Sequence, residues 1–299
     1  MKILLTGKNG QVGFELQRAL APLGQIHAVD VSDCNLADEQ AIRKLVRQVQ
    51  PDVIVNPAAY TAVDKAESER ELAYAINAKA PRVFGEEASK SGAWIVHYST
   101  DYVFDGTKQG AYTESDTTNP QSVYGQTKRE SELGLAQINP HHLILRTSWV
   151  VGAHGANFAK TMLRLASERE ALNVVADQFG APTSASLLAD VTALLIHQRQ
   201  STGKDPFPYG TYHVVAGGET TWFDYARFVL TEAIKAGKQL KVRPEHIHPI
   251  GTAEYPTPAM RPANSRLDTT RFRETFALEL PHWQVGLNHV LQQIFNSQS

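Results

Sequence analysis

Tyr124 and Lys128 stand four residues apart in Tyr124-Gly-Gln-Thr-Lys128. On a helix that spacing puts both side chains on one face, about one turn apart. A phenol beside an ammonium yields its proton more readily, because the positive charge favours the phenolate. Such a pair suits a general acid that protonates the oxygen of a carbonyl as it is reduced. Thr100 lies 24 residues before Tyr124, just beyond the apolar run Trp94-Ile-Val-His-Tyr98. A hydroxyl at the end of a buried strand can donate to the same oxygen and stabilise its growing charge. Alone, Tyr-x-x-x-Lys marks many exposed helix faces, so its meaning depends on the elements that position it.

Those elements alternate. Residues 2–6 read as a short buried strand, Gly7-Lys-Asn-Gly10-Gln-Val-Gly13 as the turn after it, and 14–20 as a helix. Glycines there permit a tight bend, let the backbone approach a pyrophosphate and let helix and strand pack closely. The helix N-terminus offers unpaired N–H groups to the phosphates. A second strand over 25–30 ends in Asp30, 23 residues after Gly7, where an acid meets the adenosine ribose hydroxyls of a dinucleotide. An acid there favours NAD over NADP, since it repels a 2′-phosphate. Asn35 and Leu36, just beyond, are placed to border the adenine. A helix over 41–49, a strand over 52–56, a long helix over 71–91, the strand 94–98 and a strand over 143–146 continue the pattern. The loop at 57–61 follows the third strand at its carboxyl end, where doubly wound sheets bind ligands. The α/β alternation predicts a Rossmann-type doubly wound parallel sheet over 1–150, with later segments returning to it. His97, inside an apolar strand, reads as a satisfied core histidine.

Composition narrows the function. The chain has 299 residues and a net charge of −2, so there is no broad basic field and no nucleic-acid partner is expected. One cysteine, Cys34, excludes an intrachain disulfide and a multi-cysteine metal site, and reads as a small apolar filler. The N-terminal apolar run is too short for a signal peptide and no stretch approaches a membrane span, so a cytoplasmic protein is expected.

From residue 151 to 299 the alternation fades, with helices over 156–168, 184–197 and 222–236 and short strands between. This predicts a smaller C-terminal α/β substrate-binding domain. Pro244, Pro249, Pro256, Pro258 and Pro262 make 244–262 an irregular segment near the substrate. Arg261 offers a planar fork of donors to a diphosphate or to a structural carboxylate. His141, His142, His246 and His248 read as solvated loop residues.

The glycine loop, the segment His97-Tyr-Ser-Thr-Asp-Tyr-Val-Phe104 and Tyr124-x-x-x-Lys128 together resemble an extended short-chain dehydrogenase/reductase. Asn9-Gly-Gln-Val-Gly13, Thr61-Ala-Val-Asp-Lys-Ala-Glu67, Arg146-Thr-Ser-Trp149, Asn157-Phe-Ala-Lys-Thr-Met162, Asp177-Gln-Phe-Gly-Ala-Pro-Thr183 and Arg261-Pro-Ala-Asn-Ser-Arg-Leu-Asp268 narrow the resemblance to the dTDP-4-dehydrorhamnose reductases. These motifs run nearly from end to end of the chain. The resemblance implies reduction of the 4-keto group of dTDP-4-dehydro-L-rhamnose to dTDP-L-rhamnose, for cell-surface polysaccharide, with NADPH or NADH as hydride donor.

It implies a cofactor site of Gly7, Gly10, Gln11, Val12, Gly13, Asp30, Asn35, Leu36, Ala59, Tyr60, Thr61, Tyr124 and Lys128, with Lys128 on the nicotinamide ribose. Thr100, Asp101, Trp149 and Arg261 would meet the sugar nucleotide. Trp149 has a rationale of its own: a flat apolar ring packs on a sugar face and its N–H donates. Asn35 stands where many relatives carry an acid. Some relatives dimerise around a divalent metal held by glutamates. Glu15 matches one of these, but Ser186 replaces an acid and no acid follows Glu279, so no metal is expected and a homodimer stays open. Two other readings remain. An epimerase of the same superfamily returns its hydride to the same sugar, and a non-catalytic regulatory subunit only binds the nucleotide. Tyr102 after Asp101, where a dehydratase carries a second acid, weighs against dehydration.

Overall fold

The computed structural model describes residues 1–202 and 207–297. Along the chain come β1 (Lys2–Leu5), α1 (Gln11–Leu20), β2 (Gln25–Ala28), α2 (Glu39–Val49) and β3 (Val53–Asn56). Then follow α3 (Val63–Ala66), α4 (Arg70–Tyr74), α5 (Ala80–Ser91), β4 (Trp94–Thr100), α6 (Val123–Ile138) and β5 (His142–Thr147). The five strands pair in parallel in the order β2-β1-β3-β4-β5. The chain leaves β1 toward β2 and returns on the other side of β1 as β3. That reversal opens a crevice at the carboxyl ends of β1 and β3.

The inner strands β3, β4 and β5 are buried on both faces, as a covered parallel sheet requires, while the edge strand β2 stays partly exposed. Ile3, Leu5, Val53, Val55, Val96, Leu143 and Leu145 share one core cluster. The residues between them, Leu4, Ile54, Ile95 and Ile144, share another with α2 and α5. The period of two sorts the side chains to opposite faces. Helix α2 begins two residues before the expected start because Asp38 caps it, accepting from Gln40 and Ala41 N–H. The long helix expected over 71–91 is interrupted. Between α4 and α5 lies a π-helical turn, Ala75–Lys79. Pro81 has no N–H and its ring crowds the carbonyl of residue 77, so a wider turn before it relieves the clash. The bulge carries buried Asn77, which returns below.

The second half contains β6 (Val150–Val151), α7 (Phe158–Glu168), β7 (Leu172–Val175), β8 (Phe179–Gly180), β9 (Thr183–Ser184) and α8 (Ala185–Ser201). It continues with β10 (Gly210–His213), β11 (Thr220–Thr221), α9 (Trp222–Lys235), β12 (Ile247–Ile250), α10 (Thr270–Phe276) and α11 (Trp283–Asn296). Helices α7, α9 and α11 enclose a separate core with Tyr225 and Trp283. The chain does return to the large sheet. β10 adds in parallel to β5, and Leu188, Val191 and Leu195 of α8 pack into the first core. The proline-rich stretch is not wholly irregular, since β12 pairs with β7 in parallel through Pro249. His142 opens buried β5 and His248 lies in β12, so neither is a loop residue. Among the described residues no helix is long and apolar enough to cross a membrane.

Candidate active site

The glycine turn holds its shape through one left-handed residue and one tight contact. Gly7 has a φ of 62°, which favours glycine. A Cβ on Gly13 would lie 1.9 Å from the Gly7 carbonyl oxygen, so α1 starts pressed against the turn. Gly10, the N-cap, has no side chain to satisfy the first N–H groups of α1, leaving them for a ligand. They border a cavity of about 470 Å³ at the switch point. Of the residues expected at a cofactor, Gly7, Gly10, Gln11, Val12, Gly13, Asp30, Asn35, Leu36, Ala59, Thr61, Tyr124 and Lys128 line it.

Tyr60 is not among the lining residues. Its phenol donates to the Glu69 carboxylate, and its backbone N–H and carbonyl are both held by the Asn77 amide at 2.7 and 3.1 Å. The π turn thus pins the loop after β3. Gln11 Oε1 accepts from Gly152 N–H at 2.9 Å and Asn157 Nδ2 at 3.0 Å, tying the glycine turn to the second half. Asp30 accepts Asn9 N–H at 2.9 Å and Val31 N–H at 2.8 Å.

The cavity suits a dinucleotide. Ser99 Oγ and Thr147 Oγ1 are buried without a hydrogen-bond partner, and both residues line it. Buried polar atoms left alone cost free energy that a ligand with amide and hydroxyl groups recovers. The uncapped N–H groups at the start of α1 and the Asp30 carboxylate add donors and an acceptor along the same cavity. Sequence reasoning passed over Ser99 and Thr147, although each stands at the carboxyl end of a buried strand. Cys34 also lines the cavity, and burial pushes its thiol up, so it is no thiolate nucleophile.

Helix α6 places Tyr124 and Lys128. Ser122 caps it, accepting from Gly125 N–H at 3.2 Å, and Glu67 accepts Val123 N–H at 2.8 Å. A Cβ on Gly125 would lie 2.2 Å from the Tyr102 carbonyl, so glycine lets the helix close on the turn after β4. Tyr102 meets Tyr124 edge-on at 5.5 Å. Thr100 Oγ1 donates to Asp101 Oδ1 at 3.0 Å and accepts from Tyr102 N–H at 3.2 Å. Desolvation pushes Tyr124 up to about 12, and the neighbouring Thr100 hydroxyl pulls the other way. This departs from the expected acidification by Lys128, whose Nζ lies instead 3.1 Å from His97 Nε2. Lys128 is 2% exposed, and burial pulls it down to about 7, opposed by Glu132.

Asp101 is buried too. Desolvation lifts its carboxyl to about 6 from an ordinary 3.8, while Ser265 and Thr100 hold it down, and Oδ2 has no partner. The folded chain therefore keeps a proton that the unfolded chain has released. Stability drains as pH rises from about 4 to about 6 and stays lower above that, by about 3 kcal/mol. Asp101→Asn removes the charge. Allowing for the amide's own unpaired N–H, the variant should be about 2 kcal/mol more stable than the parent above pH ~6, with the advantage gone near pH ~4. Urea denaturation at the two pH values checks this; equal stability at both would contradict the buried-charge account.

The remaining expected residues lie outside the cavity lining. Trp149 takes a φ of 48°, rare for a bulky residue, and stacks on Trp222 at 3.7 Å. A Cβ on Gly180 would lie 2.6 Å from its ring. Trp222 Nε1 donates to Gln178 at 3.1 Å, and Gln178 to Thr252 at 3.1 Å, so the ring is backed by a fixed wall. Arg261 pairs with Asp64 of α3 at 2.8 Å, fastening the proline-rich segment to the first half. Its Nε is buried without a hydrogen-bond partner. Glu15 pairs with Arg18, which reaches Asp190 at 2.9 Å.

The RmlD substrate binding domain family profile matches residues 1–296. The chain is 51% identical to the dTDP-4-dehydrorhamnose reductase of Escherichia coli K12, over 99% of each chain. Its fold is similar to a crystal structure of dTDP-4-dehydrorhamnose reductase from Bacillus anthracis in complex with NADP, with a TM-score of 0.89, 35% identity and coverage of 98% and 99%. The UDP-glucose 4-epimerase of Thermotoga maritima shares the fold over the full length of both chains, with a TM-score of 0.80 at 16% identity.

Proposed function

The chain belongs to the RmlD substrate binding domain family, and from that membership we propose that it reduces the 4-keto group of dTDP-4-dehydro-L-rhamnose to give dTDP-L-rhamnose. One observation carries the reading. A chain 51% identical to a named reductase over its whole length places Tyr124 and Lys128 on a glycine-floored cavity at the sheet's switch point. The epimerase likeness, at 16% identity, bears on the fold alone. Bound NADPH or NADH supplies the hydride.

The chain's own residues do the rest. Gly7, Gly10 and Gly13 let the backbone approach the pyrophosphate, and the α1 N-terminus faces its charge. Asp30 takes the adenosine ribose hydroxyls, and Lys128 holds the nicotinamide ribose. Thr100 turns its hydroxyl from Asp101 to the C4 oxygen and stabilises the developing charge. Tyr124 delivers the proton. With desolvation holding it near 12 it remains a neutral phenol at physiological pH, and an alkoxide is basic enough to take its proton. Asp101 and Trp149 meet the sugar, and Arg261 turns its fork to the diphosphate.

The test is direct. Purified protein with dTDP-4-dehydro-L-rhamnose should consume NADPH or NADH mole for mole with dTDP-L-rhamnose formed. Conversion of the sugar without net consumption would assign an epimerase, and cofactor binding without turnover a regulatory subunit.

A further inference from the structure

Behind the cavity a chain of buried hydrogen bonds runs from β1 to α6. Thr6 Oγ1 donates to Asn56 Oδ1 at 2.6 Å, and Asn56 Nδ2 meets His97 Nδ1 at 3.1 Å. His97 Nε2 lies 3.1 Å from Ser131 Oγ and 3.1 Å from Lys128 Nζ. Ser131 Oγ donates to the Lys128 carbonyl at 2.5 Å. None of Thr6, Asn56, His97, Ser131 and Lys128 is more than 2% exposed. The sheet sets this up: Asn56 and His97 are register partners on β3 and β4, and His97 shares the face of Ile95 toward α6.

The proton count is informative. With the Asn56 amide nitrogen turned to Nδ1 as a donor, a neutral His97 carries its proton on Nε2. Ser131 Oγ, its own hydrogen spent on a carbonyl, accepts that proton. An Nε2–H cannot also accept from an ammonium, since both groups only donate. This wiring therefore fits Lys128 as a neutral amine. If the Asn56 amide turns over, its carbonyl faces Nδ1–H and Nε2 becomes an acceptor for the ammonium. The Thr6 hydroxyl serves either amide face, because it can donate or accept.

We propose that His97 is a positioning residue for Lys128: its tautomer, set through the Asn56 amide, decides whether the lysine is held as an ammonium or as a neutral amine. This rests on reading Lys128 as the group that grips the cofactor. The surroundings agree. Burial pulls Lys128 down to about 7, and burial and Lys128 itself keep His97 well below 6.5, so the imidazole stays neutral. The other charged and titratable groups about this centre are Tyr124 and Glu132 on α6, Asp101 after β4, and Arg146 and His142 on β5. Arg146 is spent on Glu132 at 2.7 and 2.8 Å, and His142 on the Asn139 carbonyl at 2.6 Å.

The experiment is an NMR titration of the lysine ε-carbons in the full chain, with Lys128 assigned by the signal lost in Lys128→Met. It needs neither cofactor nor sugar. His97→Asn falls short of Lys128, leaves a buried ammonium without an acceptor and should lower the Lys128 midpoint by about one pH unit. His97→Gln restores an amide oxygen at that reach and should return the midpoint toward the parent value. Ser131→Ala deprives Nε2–H of its acceptor, favours the other tautomer and should raise the midpoint. Should His97→Asn fail to fold, the Gln and Ser131 variants decide. Unmoved midpoints, or His97→Asn and Ser131→Ala shifting in the same direction, would overturn the proposal. A parent that never reduces the keto sugar while its midpoints move as described would defeat the reductase reading and leave the role of His97 standing.

Discussion

Tyr124→Phe lowers kcat for the keto sugar by about 10³-fold, an increase in barrier of about 4 kcal/mol, while the Kd for NADPH stays within about twofold. The change removes one oxygen and leaves the ring. The edge-on contact with Tyr102 survives, and so does the helix that Ser122 and Glu67 cap. Only the proton donor is gone. A fall in kcat and kcat/KM together marks an interaction made in the transition state. Steady-state kinetics with a separate fluorescence titration of NADPH measure the two effects. Turnover preserved in the phenylalanine variant would remove Tyr124 from the chemistry.

Gly13→Ala should abolish cofactor binding and cost about 3 kcal/mol of stability, a fall in Tm of several degrees. The added Cβ would sit 1.9 Å from the Gly7 carbonyl oxygen and 2.7 Å from its carbonyl carbon, both backbone atoms that cannot swing aside. Either α1 lifts off the turn or the turn opens, and the N–H groups facing the phosphates are lost in both cases. Gly10→Ala is the control. Its Cβ would meet the same oxygen at 3.3 Å, tight but tolerable, and affinity should fall far less. Calorimetric titration with NADPH and thermal melts separate the two variants; equal tolerance at both positions would contradict this packing.

That contrast shows where reading residues along the chain stops. The glycine turn was legible because strand, turn and helix are contiguous, and β1, β3 and β4 because a buried strand is a compact apolar run. Which glycine is sterically obligatory was not, since it depends on how α1 lies across Gly7. The family resemblance puts Tyr60 at the cofactor, and the structure adds what the chain order does not show: the π turn brings Asn77 against its backbone, a contact between residues 17 apart. The orphaned hydroxyls of Ser99 and Thr147 emerge only when β4 and β5 end side by side. Lys128 was expected to act on Tyr124, four residues away on its own helix. The structure turns it toward His97, because residues on adjoining elements meet more closely than their sequence distance suggests. The return of β10 to the large sheet likewise depends on a pairing between segments 67 residues apart.

The proposed reduction is tested most directly by following the hydride. Cofactor carrying deuterium at both positions of the nicotinamide C4 is mixed with dTDP-4-dehydro-L-rhamnose and the parent protein, and the sugar product is examined by NMR. Deuterium at C4 of dTDP-L-rhamnose, mole for mole with oxidised cofactor, is the expected result. A product without deuterium, or a sugar converted while the reduced cofactor persists, would contradict it.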